Sequence, residues 1–377
     1  MNIDFHYFTV KTLCMAAGMS EYEAQIVSSY SQFVADYTVW ENYQFLEVPD
    51  FAMCLVLNTT VPYEFYTVTT AFTSFIDDAR LVIDKYQKEI AVPFHFIPDK
   101  RLNEFESHTQ TREYRTKAVD IFGSDLICQL LDDAKIKYHR LPGRYELMRI
   151  GILLHIYADT YAHQLFSGFR RWTNFSFLNH AISHITGEVI TAQYDPVFYS
   201  VLPSIGHANV NTAPDDFYIT WNMKMASNKE EKYIQNYTMI YERNNPMVFI
   251  QMTSWQILLY ICSCIKRPMV DENTWMDISS RLLHALNTTE NDPKMLAIRW
   301  HRYFPNYQYN YDKDSLWKNA LIPIEGTQEN NKKWNVDTML PSQVPIEKEL
   351  GGLYKTATND FFQYNVLAKE IRDEVIK

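Results

Sequence analysis

The sequence predicts a mainly α-helical fold, a helical bundle with irregular insertions. Three observations carry that expectation. Several stretches repeat apolar residues at helical spacing, helix start and stop signals flank them, and 377 residues hold only 10 glycines. The composition is 47% hydrophobic and 15% aromatic, dense in Tyr and Phe, as in a globular protein and unlike a disordered one. That length suffices for a large core or for two domains.

The elements follow in chain order. "IDFHYFTVKTLCMAAGMS" reads as a first helix stopped at Gly18. Ser20 and Glu23 form a capping box that opens a second helix, "EYEAQIVSSYSQFVADY". "FAMCLVLNTTVPYEFYTVTTAF" is rich in Val, Thr and aromatics, and fits either extended chain or a helix followed by irregular chain. "VPFHFIP" is Pro-bounded and reads as a loop or strand. Thr111 to Lys137 reads as helix. Tyr145 to Phe166 is the clearest helix, with Pro142-Gly143 before it and Gly168 after it. "WTNFSFLNHAISHITG" reads as a helix ending at Gly187, and "YDPVFYSVLPSIGHANVNTAPDD" as loop. Further helices are expected over Met247–Ile265, Asn273–Leu286 and Asn359–Val375, with a long irregular excursion over Tyr303–Val344. No repeat and no domain boundary is marked. The expectation is one mostly helical domain over residues 1–377, with a core of about residues 1–220 and an extension over 221–377.

"GILLHIYADTYAHQLFSGF", within the clearest helix, places His155, Asp159 and His163 four residues apart. Residues at i, i+4 and i+8 drift only about 80° around the axis, so the three share one narrow face. Ile152, Leu153, Leu154, Ile156, Ala158, Ala162 and Leu165 make that helix apolar nearly all round. An ionised carboxylate is costly there without a partner. A divalent metal, zinc by preference, suits imidazole and carboxylate donors, and a core hydrogen-bond network is the alternative.

Other donors are candidates beside that stripe. His6 lies on the first helix and Asp36 ends the second, where antiparallel packing would bring the two together. His180 and His184 are i, i+4 on an expected helix, a common zinc spacing, or simply a partly exposed face. His207 follows a glycine in a loop, where functional side chains concentrate, and Asp215 follows in the same loop. His95, between aromatics, fits packing equally well. His108, His139, His284 and His301 read as surface or structural.

The net charge of −10 argues against duplex nucleic acid as a partner. Five cysteines, an odd number without a CxxC pair, read as reduced thiols of a cytoplasmic protein. "MNIDFHYFTV" lacks a basic segment followed by an apolar run, so no signal peptide is expected. The apolar stretch Met247–Ile265 is broken by Gln, Thr and Ser and reads as core helix, so no transmembrane segment is expected.

His6 on an early helix, Asp36 at a helix end and the H-x3-D-x3-H stripe together resemble the zinc-dependent phospholipase C and single-strand nuclease superfamily. "DFHYF", "SQFVADY", "HIYADTYAHQLFSG" and "SIGHANV…PDD" resemble more closely an uncharacterised bacterial family known only as a domain of unknown function. That likeness spans roughly the first 220 residues and the last helix. The superfamily resemblance implies an all-helical fold around up to three zinc ions. It implies that Asp36 ligates metal and acts as general base, and that His155 and Asp159 hold a central metal pair. It implies that His163 begins a third site, completed by a downstream His and Glu four apart, for which His180 and His184 are the nearest match. The chain departs from the superfamily in beginning Met-Asn-Ile in place of a processed N-terminal Trp, in carrying His184 for the Glu, and in a shorter interval after Asp159.

The leading expectation is a metal-dependent hydrolase acting on a small phosphoester or a phospholipid head group. Two metals about 4 Å apart would polarise a phosphoryl oxygen and acidify a water, with Asp36 taking its proton. A histidine–aspartate-type nucleotide phosphohydrolase ranks lower, because the chain has no adjacent His-Asp pair. A non-catalytic, metal-stabilised binding or assembly module is the third class. No GxSxG, P-loop or GxGxxG occurs.

Overall fold

In the computed structural model, the structure describes residues 2–72, 83–105, 114–171, 174–189, 205–210, 212–226, 237–324 and 350–377. A π-helical stretch, Asp4–Thr9, runs straight into helix α1 (Val10–Ala17). Gly18, at φ 100°, adopts the left-handed conformation that lets Met19 N reach Cys14 O at 3.0 Å and close the helix end. Ser20 and Glu23 make the expected capping box, with Ser20 Oγ donating to Glu23 Oε2 at 2.7 Å and Glu23 N to Ser20 Oγ at 3.3 Å. Helix α2 (Glu21–Asp36) follows.

Beyond it come strands β1 (Asn42–Phe45), β2 (Val56–Asn58) and β3 (Tyr63–Phe65). The stretch that allowed two readings is therefore extended, after a 3-10 turn at Asp50–Leu55. "VPFHFIP" is neither loop nor strand at its start: a π-helical stretch, Gln87–Ala91, passes into one helical turn, Val92–Phe94, and His95 terminates it. Helix α3 (Leu126–Arg140) begins well after the expected Thr111, and 106–113 lie outside the described residues. Helix α4 (Arg144–Ala162) carries the stripe.

The segment expected as a helix ending at Gly187 is instead strand β4 (Ser176–Ser183). It pairs antiparallel with β5 (Ile219–Ala226), which pairs antiparallel with β6 (Tyr237–Asn244). Ile219, Trp221 and Met223 are buried and alternate with half-buried Thr220 and Asn222, the two-residue period of a strand. A continuous helical stretch then covers Asn245–Met247, the π-helical Val248–Ser254 and α5 (Trp255–Cys264). Asn245–Cys264 is long and apolar enough to cross a bilayer, with mean hydropathy 1.4 and 56% of the window buried inside the protein. Helices α6 (Glu272–Leu286) and α7 (Pro293–Tyr303) follow, capped by Asp271 and Asp292. Strands β7 (Leu321–Ile322), β8 (Leu350–Tyr354) and β9 (Thr356–Ala357) precede the last helix, α8 (Asn359–Ile376).

The expected mainly α, phospholipase C-like helical bundle is therefore overturned. The described chain mixes helices with three sheets, ordered β2-β3-β1-β8, β4-β5-β6 and β7-β9. The sheets escape a helix-period search because most of their strands are short and two sheets pair segments far apart in sequence.

Where the sequence marks no boundary, the chain divides into two compact units. One comprises Met1–Asp36, Thr70–Tyr311 and Ile371–Lys377, and the other Tyr37–Thr69 and Asp312–Glu370. The smaller unit packs aromatic side chains on its sheet, with Phe45 and Phe65 each 5.2 Å from Phe362 between ring centroids. The larger unit holds the β4-β5-β6 sheet, and one face of that sheet joins Phe96 and Phe166 in a buried cluster with Ala181, Trp221 and Met223.

Within the larger unit α2 and α4 run parallel. Arg144 Nη1 donates to Tyr22 OH at 3.2 Å near one end, and Gly151 faces Val27–Ser31 midway. A Cβ on Gly151 would stand 2.4 Å from Val27 O, so the two backbones approach as closely as only glycine permits. That crossing sets the depth at which the stripe is buried. Gly151→Ala should therefore lower stability by about 1–3 kcal/mol through overpacking, read as a lower denaturation midpoint at unchanged slope.

Candidate metal centre

Helix α4 is buried on every side from Leu147 to Ala162, and His155 and Asp159 are each 1% exposed. Asp159 sits among four imidazoles. Its Oδ1 lies 3.2 Å from His6 Nε2, and its Oδ2 lies 3.1 Å from His95 Nδ1, 3.3 Å from His155 Nε2 and 3.6 Å from His163 Nδ1. His6 and His155 stack, ring centroids 3.8 Å apart at 24°. Burial drives the His6 pKa far down and the His155 pKa to about 4, so both rings are neutral at neutral pH. Burial opposes ionisation of Asp159 as well, but the N-terminal ammonium and the hydrogen bond from His155 hold its pKa well below the usual carboxylate range.

A second group continues from the end of the same helix. His163 Nε2 lies 3.3 Å from Asp215 Oδ1, and His207 Nε2 lies 3.4 Å from Asp215 Oδ2. The His163 and His207 rings stack 4.9 Å apart, with Phe96 on the His163 ring at 4.5 Å. Gly206, at φ 51°, admits that Phe96: a Cβ there would lie 2.4 Å from the ring. Burial is graded between the groups. His6, His155 and Asp159 are closed off, whereas His207 and Asp215 are 14% and 16% exposed.

Two of the rings are oriented by the main chain. His95 Nε2 donates to Thr70 O at 2.9 Å, and His163 Nδ1 donates to His95 O at 2.7 Å. A carbonyl only accepts, so when either ring is neutral its other nitrogen is a lone pair. In both cases it faces a carboxylate oxygen, which is attractive only with a proton or a metal cation between them. Carbonyl–imidazole pairing of this kind fixes the tautomer of metal-ligating histidines.

The fit to a divalent metal also rests on unmatched polar atoms. His6 Nδ1 and Nε2 and His155 Nδ1 are buried without a hydrogen-bond partner among the described residues. Buried polar groups seldom remain so, and a metal would engage one nitrogen of each ring. His6, His155 and Asp159 bring donor atoms within 4.8 Å of one another, and so do His163, His207 and Asp215. Five imidazoles and two carboxylates suit zinc or another first-row transition ion better than magnesium or calcium.

Of the residues singled out in the sequence, the structure brings together His6, His155, Asp159, His163 and His207. Asp36 joins neither group. Its Oδ2 accepts from Tyr311 OH at 2.5 Å and Gln32 Nε2 at 3.2 Å. Because α2 and α4 are parallel, Asp36 still lies toward the same end of the helix pair as Asp159. His180 and His184 stay apart from both groups. They sit on and just beyond strand β4, where four residues span about 13 Å, too far to share one cation. His184 Nε2 instead lies 2.8 Å from Thr220 Oγ1. His95, read as fitting packing equally well, and Asp215, noted only as following His207 in its loop, are the residues that sequence reasoning undervalued. No periodicity marks either, since one ends a helical turn and the other lies in a loop.

The helix ends under constraint. His163 N reaches Asp159 O at 2.8 Å, and Leu165 takes φ 76°, a conformation uncommon for a residue with a side chain. Reciprocal backbone bonds hold it there, Leu165 N to Thr116 O at 2.9 Å and Thr116 N to Phe166 O at 2.8 Å. Such local strain concentrates at functional sites.

The family that matches the chain, over residues 1–377, is described as a family of unknown function (DUF6765). No curated protein and no solved structure matches the chain.

Protein purified without chelator should contain at least one equivalent of a transition metal by elemental analysis. Verified removal of that metal should lower the melting temperature, because metal bound only to the folded state adds to its stability. An unchanged melt would contradict a buried metal.

Proposed function

The chain belongs to the DUF6765 family, a family of unknown function, and from its site we propose that it is a metal-dependent hydrolase of phosphoesters. One observation carries the reading: a buried carboxylate, Asp159, with four imidazoles within 3.6 Å and a second carboxylate–imidazole group adjoining it on the same helix. His6, His95, His155 and Asp159 would hold one cation, and His163, His207 and Asp215 another. Cations bound there would polarise a phosphoryl oxygen and acidify a water.

The protein's own groups divide the remaining work. Thr70 O and His95 O fix the ring orientations, so donors are set before substrate arrives. The partly exposed edge at His95, His207 and Asp215 is the side from which a small anion can approach. Asp36, oriented by Tyr311 and Gln32, is the residue this reading assigns to take a proton. The likeness of His6, Asp36, His155, Asp159 and His163 to the zinc-dependent phospholipase C and nuclease pattern supports phosphoester chemistry, although the fold is not the helical bundle of that superfamily. The near-complete burial of His6, His155 and Asp159 favours a second reading, a metal that only stabilises the fold.

Turnover separates the two. The wild type should hydrolyse an activated phosphodiester such as bis(p-nitrophenyl) phosphate in a metal-dependent manner. Asp159→Asn should lose both metal and activity. Asp36→Asn should keep its metal and lose about 100-fold or more in kcat, the scale of general-base catalysis. His301→Ala, on the exposed face of α7, should match the wild type. No turnover by metal-loaded wild type on phosphodiester, nucleotide or phospholipid substrates would leave the stabilising role.

A further inference from the structure

A buried cation outside both groups binds the two segments that carry the second one. Arg243, on β6, is 3% exposed. Its Nη1 donates to Tyr161 O at 2.7 Å and Ala162 O at 2.8 Å, the last carbonyls of α4. Its Nη2 donates to Pro214 O at 3.3 Å, the residue before Asp215. The guanidinium lies 5.2 Å from the Phe249 ring centroid. Two residues on, Asn245 Nδ2 donates to Ala213 O at 2.7 Å and Asp216 O at 2.6 Å, so the same loop is held on both sides of Asp215. Asn245 is itself fixed by Trp221 Nε1, which donates to its Oδ1 at 3.0 Å.

We propose that Arg243 is the positioning residue of the His163–His207–Asp215 cation site. One planar fork fixes the end of α4, from which His163 projects, against the loop that carries Asp215. The 3.3 Å interval between His163 Nε2 and Asp215 Oδ1 therefore depends on a side chain that grips the backbone beside both. A positive charge also complements the C-terminal end of a helix. Lysine cannot replace it, since a point charge on a flexible stem does not serve three carbonyls in fixed directions. In the other group, His6 and His95 come from the early π-helical stretch and the end of the Val92–Phe94 turn, elements other than the two that Arg243 joins. The proposal rests on the two-cation reading above.

The test is titration of metal-stripped protein with zinc, and with cobalt for its visible absorption. Wild type should bind two equivalents. Arg243→Lys should bind the first as wild type does and the second about 10–100-fold more weakly, the usual effect of disturbing a residue behind a ligand. Its second cobalt spectrum should also change. His207→Ala, which removes a donor outright, should lose the same equivalent. Arg243→Gln serves the same comparison if the lysine variant does not fold cooperatively. A wild type that binds one equivalent overturns this proposal together with the two-cation reading. A wild type with two and an Arg243 variant with two of unchanged affinity, or with both weakened in parallel, overturns the positioning role alone.

Discussion

A carboxylate in an apolar interior needs compensating partners, and separate stretches of the larger unit meet at the one on Asp159. A fully buried ionised group costs several kcal/mol without partners. Here four rings converge on it from three separate stretches of chain: the early π-helical stretch, the turn before His95, and α4 itself. Two of those rings are neutral because burial has stripped them of their protons, so they offer lone pairs in place of charge. A site rich in neutral donors around an anion is electrostatically matched to a cation.

The surrounding architecture serves that convergence. The close α2–α4 approach at Gly151 buries the helix, and its end is held by Arg243 and by the Thr116–Phe166 backbone pair. His95 links the two groups through different atoms. Its ring faces Asp159, while its carbonyl orients His163. The coupling through that carbonyl belongs to the backbone and would survive replacement of the side chain.

The helical part of the fold was legible because its signals are local. Ser20 and Glu23 announce α2, Gly143 precedes α4, and Gly18 closes α1. The sheets were not, although Ile219 to Lys224 alternates plainly between apolar and polar residues. The pairing of β1 with β8 joins segments about 300 residues apart, which no window on the sequence can contain. The same contrast divides the site. His155, Asp159 and His163 lie on one helix at readable spacing, whereas His95 and Asp215 reach them only through tertiary packing. His180 and His184 show the reverse error, a four-residue spacing that means proximity on a helix and separation along a strand.

His6 sits within a π-helical stretch, Asp4–Thr9, and such stretches carry one residue more per turn than the α-helix that follows. The site thus constrains the length of the chain as well as its residue types. Removing any one residue between His6 and Val10 would restore ordinary helical winding and keep every side chain of the site. The three α-helical steps then left between His6 and Val10 would turn nearly as far as the four smaller π-helical steps they replace, so the His6 ring would move by only a few tens of degrees. The same deletion inside α1, where no wide turn absorbs it, would swing that ring by about 100° and empty one quarter of the imidazole shell.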